Sequence, residues 1–119
     1  MTKYEQMEHE FFSLLKSSGA EGHPFKPYLE ARKYNIETRH LREKLIGWAK
    51  AGLICLYVHT EEGFRPYTDW PNANNFNDFF EYGNKVGNVW AKLLAAGDEH
   101  LERLLEIKQR PIGFQAKPV

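Results

Sequence analysis

Apolar side chains recur at three- and four-residue spacing through Tyr4, Met7, Phe11, Leu14 and Leu15. That spacing puts them on one face of a helix over residues 3–17. Ser17, Ser18 and Gly19 end the pattern, and the stretch through Gly22, His23 and Pro24 reads as a loop. Pro27 suits the first turn of a short second helix carrying Tyr28, Leu29 and Ala31. A turn is expected at Tyr34-Asn35, because Asn tolerates the left-handed backbone that a tight helix-to-helix connection needs. A third helix is predicted over residues 37–51. Leu41, Leu45, Trp48 and Ala49 share one stripe of it, with Arg39, Glu43, Ile46 and Lys50 on the opposite side. Gly52 ends that helix as its left-handed terminating residue.

The period then changes. Leu53 to Val58 is a β-branched and aromatic run too short for another helix, so it reads as a strand. Thr60 to Gly63 forms a turn, and Phe64 to Thr68 a return strand. Pro66 cannot donate to a ladder, which places that strand on a sheet edge. Residues 70–75 read as an irregular connector. Helical spacing resumes from Phe76 to Ala96 through Phe79, Phe80, Val86, Val89, Trp90, Leu93 and Leu94, with Gly83 and Gly87 marking a kink or a close crossing. Gly97 is expected to stop this helix. Asp98 would then cap a last one carrying Leu101, Leu104, Leu105 and Ile107, closed by Pro111 ahead of a tail over 112–119. The organisation expected is a domain over residues 1–70, a helical extension over 71–110 and the tail.

With 119 residues, 42% of them hydrophobic and 27% charged, the chain has the make-up of a single globular domain. No apolar run approaches the roughly 20 residues of a membrane span, and the charged start lacks a secretory leader. A cytoplasmic protein is therefore expected. The lone Cys55 excludes an intramolecular disulfide and a multi-cysteine zinc site. His9, His23, His40, His59 and His100 have no metal-binding spacing, and no glycine loop is shaped to cradle phosphate. Glu61 and Glu62 are adjacent in a turn, a poor arrangement for an acid and base acting on one substrate. Neither an enzyme nor a cofactor is expected.

The formal net charge is zero, but it is unevenly spread. Residues 26–50 hold seven basic and three acidic side chains, whereas residues 1–25 and 51–75 are each net −2. For attraction of phosphate the local sign matters more than the total.

From Ala31 through Asn35, Ile36, Leu41, Leu45 and Trp48 to Gly52-Leu53-Ile54, the chain follows a recurring order: small residue, turn residue, apolar plug, helix stripe, Gly-Leu-Ile stop. In this it resembles the winged helix-turn-helix of bacterial transcriptional regulators, over residues 25–70. The resemblance implies an α+β fold, a winged helix-turn-helix with an N-terminal helix and additional C-terminal helices. It also implies a sequence-preferring regulator of transcription that inserts helix 37–51 into the major groove of double-stranded DNA. Base-facing positions would be Thr38, Arg39, His40, Arg42 and Glu43. Lys33, Lys44 and Lys50 would meet phosphates, with Arg65 from the wing. Since one such helix usually binds weakly, a homodimer is expected, paired through the C-terminal helices. The chain departs from the pattern in three places. Glu37 stands where a Ser or Thr cap is usual, leaving Asn35 or Thr38 to cap. Glu43 occupies a commonly basic position, and Glu61-Glu62 make the wing tip acidic. An acidic wing also suits the other use of such a fold, as a protein-interaction module of a larger assembly.

Overall fold

Thr2 opens the first helix with a reciprocal capping box. Its Oγ1 accepts from the Glu5 amide at 3.1 Å while its own amide donates to Glu5 Oε1 at 3.0 Å. The structure, a computed structural model, describes residues 2–70 and 77–109, of which 107–109 as backbone only. The expectations for residues 71–76, for the Ile107 side chain, for Pro111 and for the tail lie outside the described residues.

In chain order the elements are α1 (Lys3–Ser18), β1 (His23–Phe25), α2 (Pro27–Lys33), α3 (Thr38–Lys50), β2 (Ile54–Thr60), β3 (Gly63–Pro66), α4 (Asn77–Val86), β4 (Val89–Leu93) and α5 (Ala95–Gln109). Single 3-10 turns lie at Gly19–Glu21 and Tyr67–Asp69. All pairings are antiparallel, in the order β1-β4-β2-β3. The protein is thus a mixed α+β fold.

Two helix ends follow one design. After α2, the Ile36 amide donates to Ala31 O at 3.0 Å and the Asn35 amide to Arg32 O at 3.1 Å, with Asn35 at φ 57°. After α3, the Leu53 amide donates to Trp48 O at 3.0 Å and the Gly52 amide to Ala49 O at 3.1 Å, with Gly52 at φ 78°. Both are Schellman ends, in which a left-handed residue lets two amides satisfy otherwise unpaired helix carbonyls. Asn35 and Gly52 therefore do what their residue types suggested.

The region after the hairpin differs from the sequence expectation. The single helix expected over 76–96 is instead α4, a turn at Gly87 (φ 116°) and strand β4. Val89 and Ala91 face the core, and the register pairs Leu56 with Ala91 and Phe25 with Val89. β4 therefore lies between β1 and β2, and the stretch expected as an appended extension supplies a central strand. The supposed loop at His23-Pro24 is β1, the outer strand paired to it. Gly83 is buried on α4, where an added Cβ would come within 2.4 Å of Val89 Cγ2; its lack of a side chain lets the helix lie against the sheet. Gly97 does not stop a helix. It sits inside α5, where a Cβ would fall 2.1 Å from the Leu53 carbonyl oxygen, and Asp98 is likewise within the helix rather than its cap. β3 ends at Pro66, earlier than expected, and is the edge strand that this proline called for.

The helices bury their stripes on one sheet face. Phe11, Phe12, Leu15, Leu41, Leu45, Ile54, Leu56, Val58, Phe79, Phe80 and Leu101 belong to one continuous core. Trp48 stacks on Phe11 (5.9 Å between ring centroids) and meets Phe12 edge-on at 5.1 Å. Leu101 and Leu104 are buried within the chain, on an α5 that packs along α1. The stripe expected to pair two copies is thus used inside one. Lys16 to Asp98 at 2.8 Å and His100 to Glu8 at 3.1 Å fasten the same helix pair.

Candidate nucleic-acid interface

α3 presents two unequal sides. Leu41, Leu45, Trp48 and Ile46 are buried, and Arg42 joins them with its side chain only 19% exposed. Ile46 was expected opposite the core. It is buried as part of the continuous core, on a helix that β2 packs against. Arg39, Glu43, Gly47 and Lys50 form the remaining ridge, open to solvent, with His40 half-buried beside it.

Glu37 is the residue before the first turn of α3, and no side chain caps this end, neither Asn35 nor Thr38. Its carboxylate instead accepts from Arg39 Nε at 2.8 Å, with both side chains well exposed. A carboxylate there still opposes the positive end of the helix dipole. An ion pair this exposed is worth little in water, so Arg39 can exchange it for another anion at small cost.

The nine residues singled out from the sequence separate into two groups. Thr38, Arg39, His40, Glu43 and Lys50 lie on or beside the ridge, and Lys33 is exposed at the end of α2, its ammonium 5.4 Å from the Tyr34 ring centroid. The other three contact neighbouring side chains of the same chain, Arg42 nearly buried and Lys44 and Arg65 still partly exposed. Arg42 donates to Asn77 Oδ1 at 3.3 Å, approaches Glu81 at 3.5 Å and lies over Phe80 at 5.2 Å, so it ties α3 to α4. Lys44 reaches Glu8 at 3.9 Å and the Tyr4 ring at 5.6 Å, tying α3 to α1. Arg65 sits 4.4 Å over Trp70 and 3.9 Å from Asp69. Its register partner is Val58, so it takes the inner side of the hairpin. Lys26, part of the basic excess, donates to the Gly87 carbonyl.

Three further residues border this side of the molecule. Arg32 is exposed next to Lys33. Gly47 sits in mid-helix on the ridge, and a Cβ there would meet nothing within 4 Å, so packing does not require a glycine. Tyr4 borders a shallow groove of about 420 Å³ with His40, Lys44, Gly47 and Trp48. Tyr4 shares the apolar spacing of α1, and a glycine within a helix carries no sequence sign of the open space around it, so neither is marked by pattern alone.

Burial, with Glu30 and Glu10 adding to it, pushes the Tyr34 phenol up to about 12, and its hydroxyl has no partner among the described residues. Burial also pushes the Cys55 thiol up, against the pull of Lys92, which disfavours the reactive thiolate. Among the described residues no group of three His, Cys, Asp or Glu could hold a metal ion, and no helix is long and apolar enough to cross a membrane. Compared with models of protein families, with curated proteins and with solved structures, the chain has no significant match.

Proposed function

We propose that this chain is a winged-helix protein that binds double-stranded DNA through the exposed ridge of α3. The observation that carries the reading is the α2–turn–α3 pair. Its Schellman turn at Asn35 and its buried stripe leave one long helix projecting Arg39, Glu43, Gly47 and Lys50 into solvent, with His40 half-buried beside them. The sheet supports the same reading. β4 between β1 and β2 makes a three-stranded unit beside the helix pair, with β3 and α4 as an elaborated wing. A helix of this kind fits the major groove, where its first turns reach base edges.

The contact set is narrower than the sequence pattern implies. Arg39 and Thr38 meet bases, Glu43 accepts from a cytosine amino group, and Arg32, Lys33 and Lys50 meet phosphates. Arg42 acts inside the fold, and Lys44 and Arg65 are partly engaged by neighbours on their own chain. A homodimer would supply the avidity that one helix lacks, through a surface other than the Leu101–Leu104 face.

These cations, engaged by side chains of their own chain, and the acidic Glu61-Glu62 tip favour a second reading, a protein-interaction module of a larger assembly. Substitutions separate the two. Arg39→Gln should cost about 1–3 kcal/mol of DNA affinity and blur the preference among sequences. Glu43→Gln should tighten non-specific binding by removing a carboxylate near phosphate. Arg42→Gln should lower the melting temperature while leaving sequence preference alone. Fluorescence anisotropy with labelled duplexes reads the first two and thermal denaturation the third. Arg39→Gln and Glu43→Gln both binding as the wild type does would remove α3 from the interface.

A further inference from the structure

The sheet has a second face. Ile54, Leu56 and Val58 on β2, with Val89 and Ala91 on β4, point to the helices. Strand alternation sends Cys55, Tyr57, His59, Phe64, Trp90 and Lys92 the other way. Four rings there form one array. Tyr57 meets Phe64 at 5.0 Å (78°) and His59 at 5.6 Å (71°), His59 meets Trp90 at 4.5 Å (74°), and Tyr57 lies nearly parallel to Trp90 at 6.2 Å. Tyr57 is the buried centre, its hydroxyl donating to Glu21 O at 2.8 Å. Phe64, 57% exposed, is the most open large apolar side chain among the described residues.

The charge beside this array is negative. Glu61 and Glu62 follow directly in the hairpin turn, are exposed, and make no ion pair among the described residues. The hairpin tip also borders a cleft of about 880 Å³, with His59 and Phe64 on one side and Arg65, Asp69 and the α4 residues Tyr82 and Val86 on the other. Among the described residues that line the cleft, Arg65 is the one Lys or Arg; it lies on the core-facing side of the hairpin, 3.9 Å from Asp69 and 4.4 Å over the Trp70 ring, away from the outer aromatic face. Lys92 shares the outer face but pairs with Cys55, at the strand end away from the hairpin tip. Pro66 on the edge strand breaks the row of donors that an added strand would use, so a ligand lies on the face rather than extending the sheet.

We infer that the aromatic outer face at the hairpin tip, rimmed by Glu61 and Glu62, is a docking surface for an arginine-bearing segment of a partner protein. Aromatic faces carry negative charge density and attract cations. A guanidinium is flat enough to stack on a ring while its N–H groups reach carboxylates at the rim. A lysine ammonium offers no plane to stack, and a nucleic-acid strand would bring phosphates against two carboxylates. This surface is separate from the α3 ridge and does not depend on the DNA reading.

The test titrates a nona-arginine peptide into the intact chain and reads binding by calorimetry. Saturable binding is expected, at least several-fold tighter than for nona-lysine. Phe64→Ala should weaken it about tenfold, as should Glu61→Gln with Glu62→Gln, while Arg39→Gln and Lys50→Gln leave it unchanged. All these positions are exposed, so the variants should keep the circular dichroism of the parent. Absence of peptide binding overturns the inference, as does binding insensitive to Phe64→Ala, which marks charge adhesion alone. It is also overturned if an oligothymidylate competes for this face, or if the chain self-associates in sedimentation through Phe64, which would make the occupant a second copy.

Discussion

Trp48 is wedged between Phe11 and Phe12, and its burial joins α3 to α1. Removing an indole from such a site forfeits both its transfer free energy and its ring contacts, so Trp48→Ala should cost about 3–5 kcal/mol. Chemical denaturation measures this, and an unchanged midpoint would refute the packing described. Tyr34 presents the opposite case. Its hydroxyl is buried without a partner among the described residues, so Tyr34→Phe removes a desolvated group and should leave stability at neutral pH unchanged or higher. The phenol titrates at about 12 in the folded chain against about 10 when unfolded, so the unfolded state loses its proton first. Stability from this residue is complete below pH 10 and declines as pH rises toward 12. Tyr34→Phe should flatten that part of an alkaline denaturation profile; an identical decline in both proteins would remove the burial argument.

α3 was legible almost to the residue, because its stripe, its Asn35 entry and its Gly52 exit are local signals. The position of Arg42 was legible in principle, since a helical wheel sets it between Ala49 and Ile46, on the flank that α4 covers. β4 was not legible. Val86, Val89, Trp90 and Leu93 recur at helical spacing by coincidence, and only pairing with β1 and β2, tens of residues away, makes them a strand. β1 is three residues long and includes a proline, so its pattern alone carries no period. Gly47 lies in the interior of α3 with open space around it, so Gly47→Ala should stabilise the fold by about 0.5–1 kcal/mol through helix propensity. Under the DNA reading the same methyl group obstructs the approach of the duplex, so affinity should fall as the melting temperature rises. A variant more stable and equally tight in DNA binding would show that the ridge is not contacted at Gly47.

Across the whole molecule one continuous core holds the helices on one face of the sheet, and the aromatic array lies on the sheet's other face. α5 closes that core through Leu101 and Leu104, and the Lys16–Asp98 and His100–Glu8 contacts hold it on α1. Deleting residues 98–119 should therefore lower the melting temperature sharply; a folded, equally stable product would mean that α5 is dispensable. The stripe of α5 was legible in the sequence, but not whether it packed on its own chain, since an amphipathic helix looks the same in either setting. The charge of residues 26–50 was legible as a sum, whereas its availability depended on neighbours: Lys26, Arg42 and Lys44 are bound to Gly87, α4 and α1. Exposed on the proposed DNA side are Arg32, Lys33, Arg39 and Lys50. Binding of double-stranded DNA by α3 is measured by the affinity of the intact chain for a random-sequence duplex as salt is varied. With about three or four phosphates contacted per chain, the logarithm of the binding constant should fall linearly with the logarithm of salt, with a slope of roughly −3. No binding to duplex at low salt, by either the wild type or Glu43→Gln, would contradict the account.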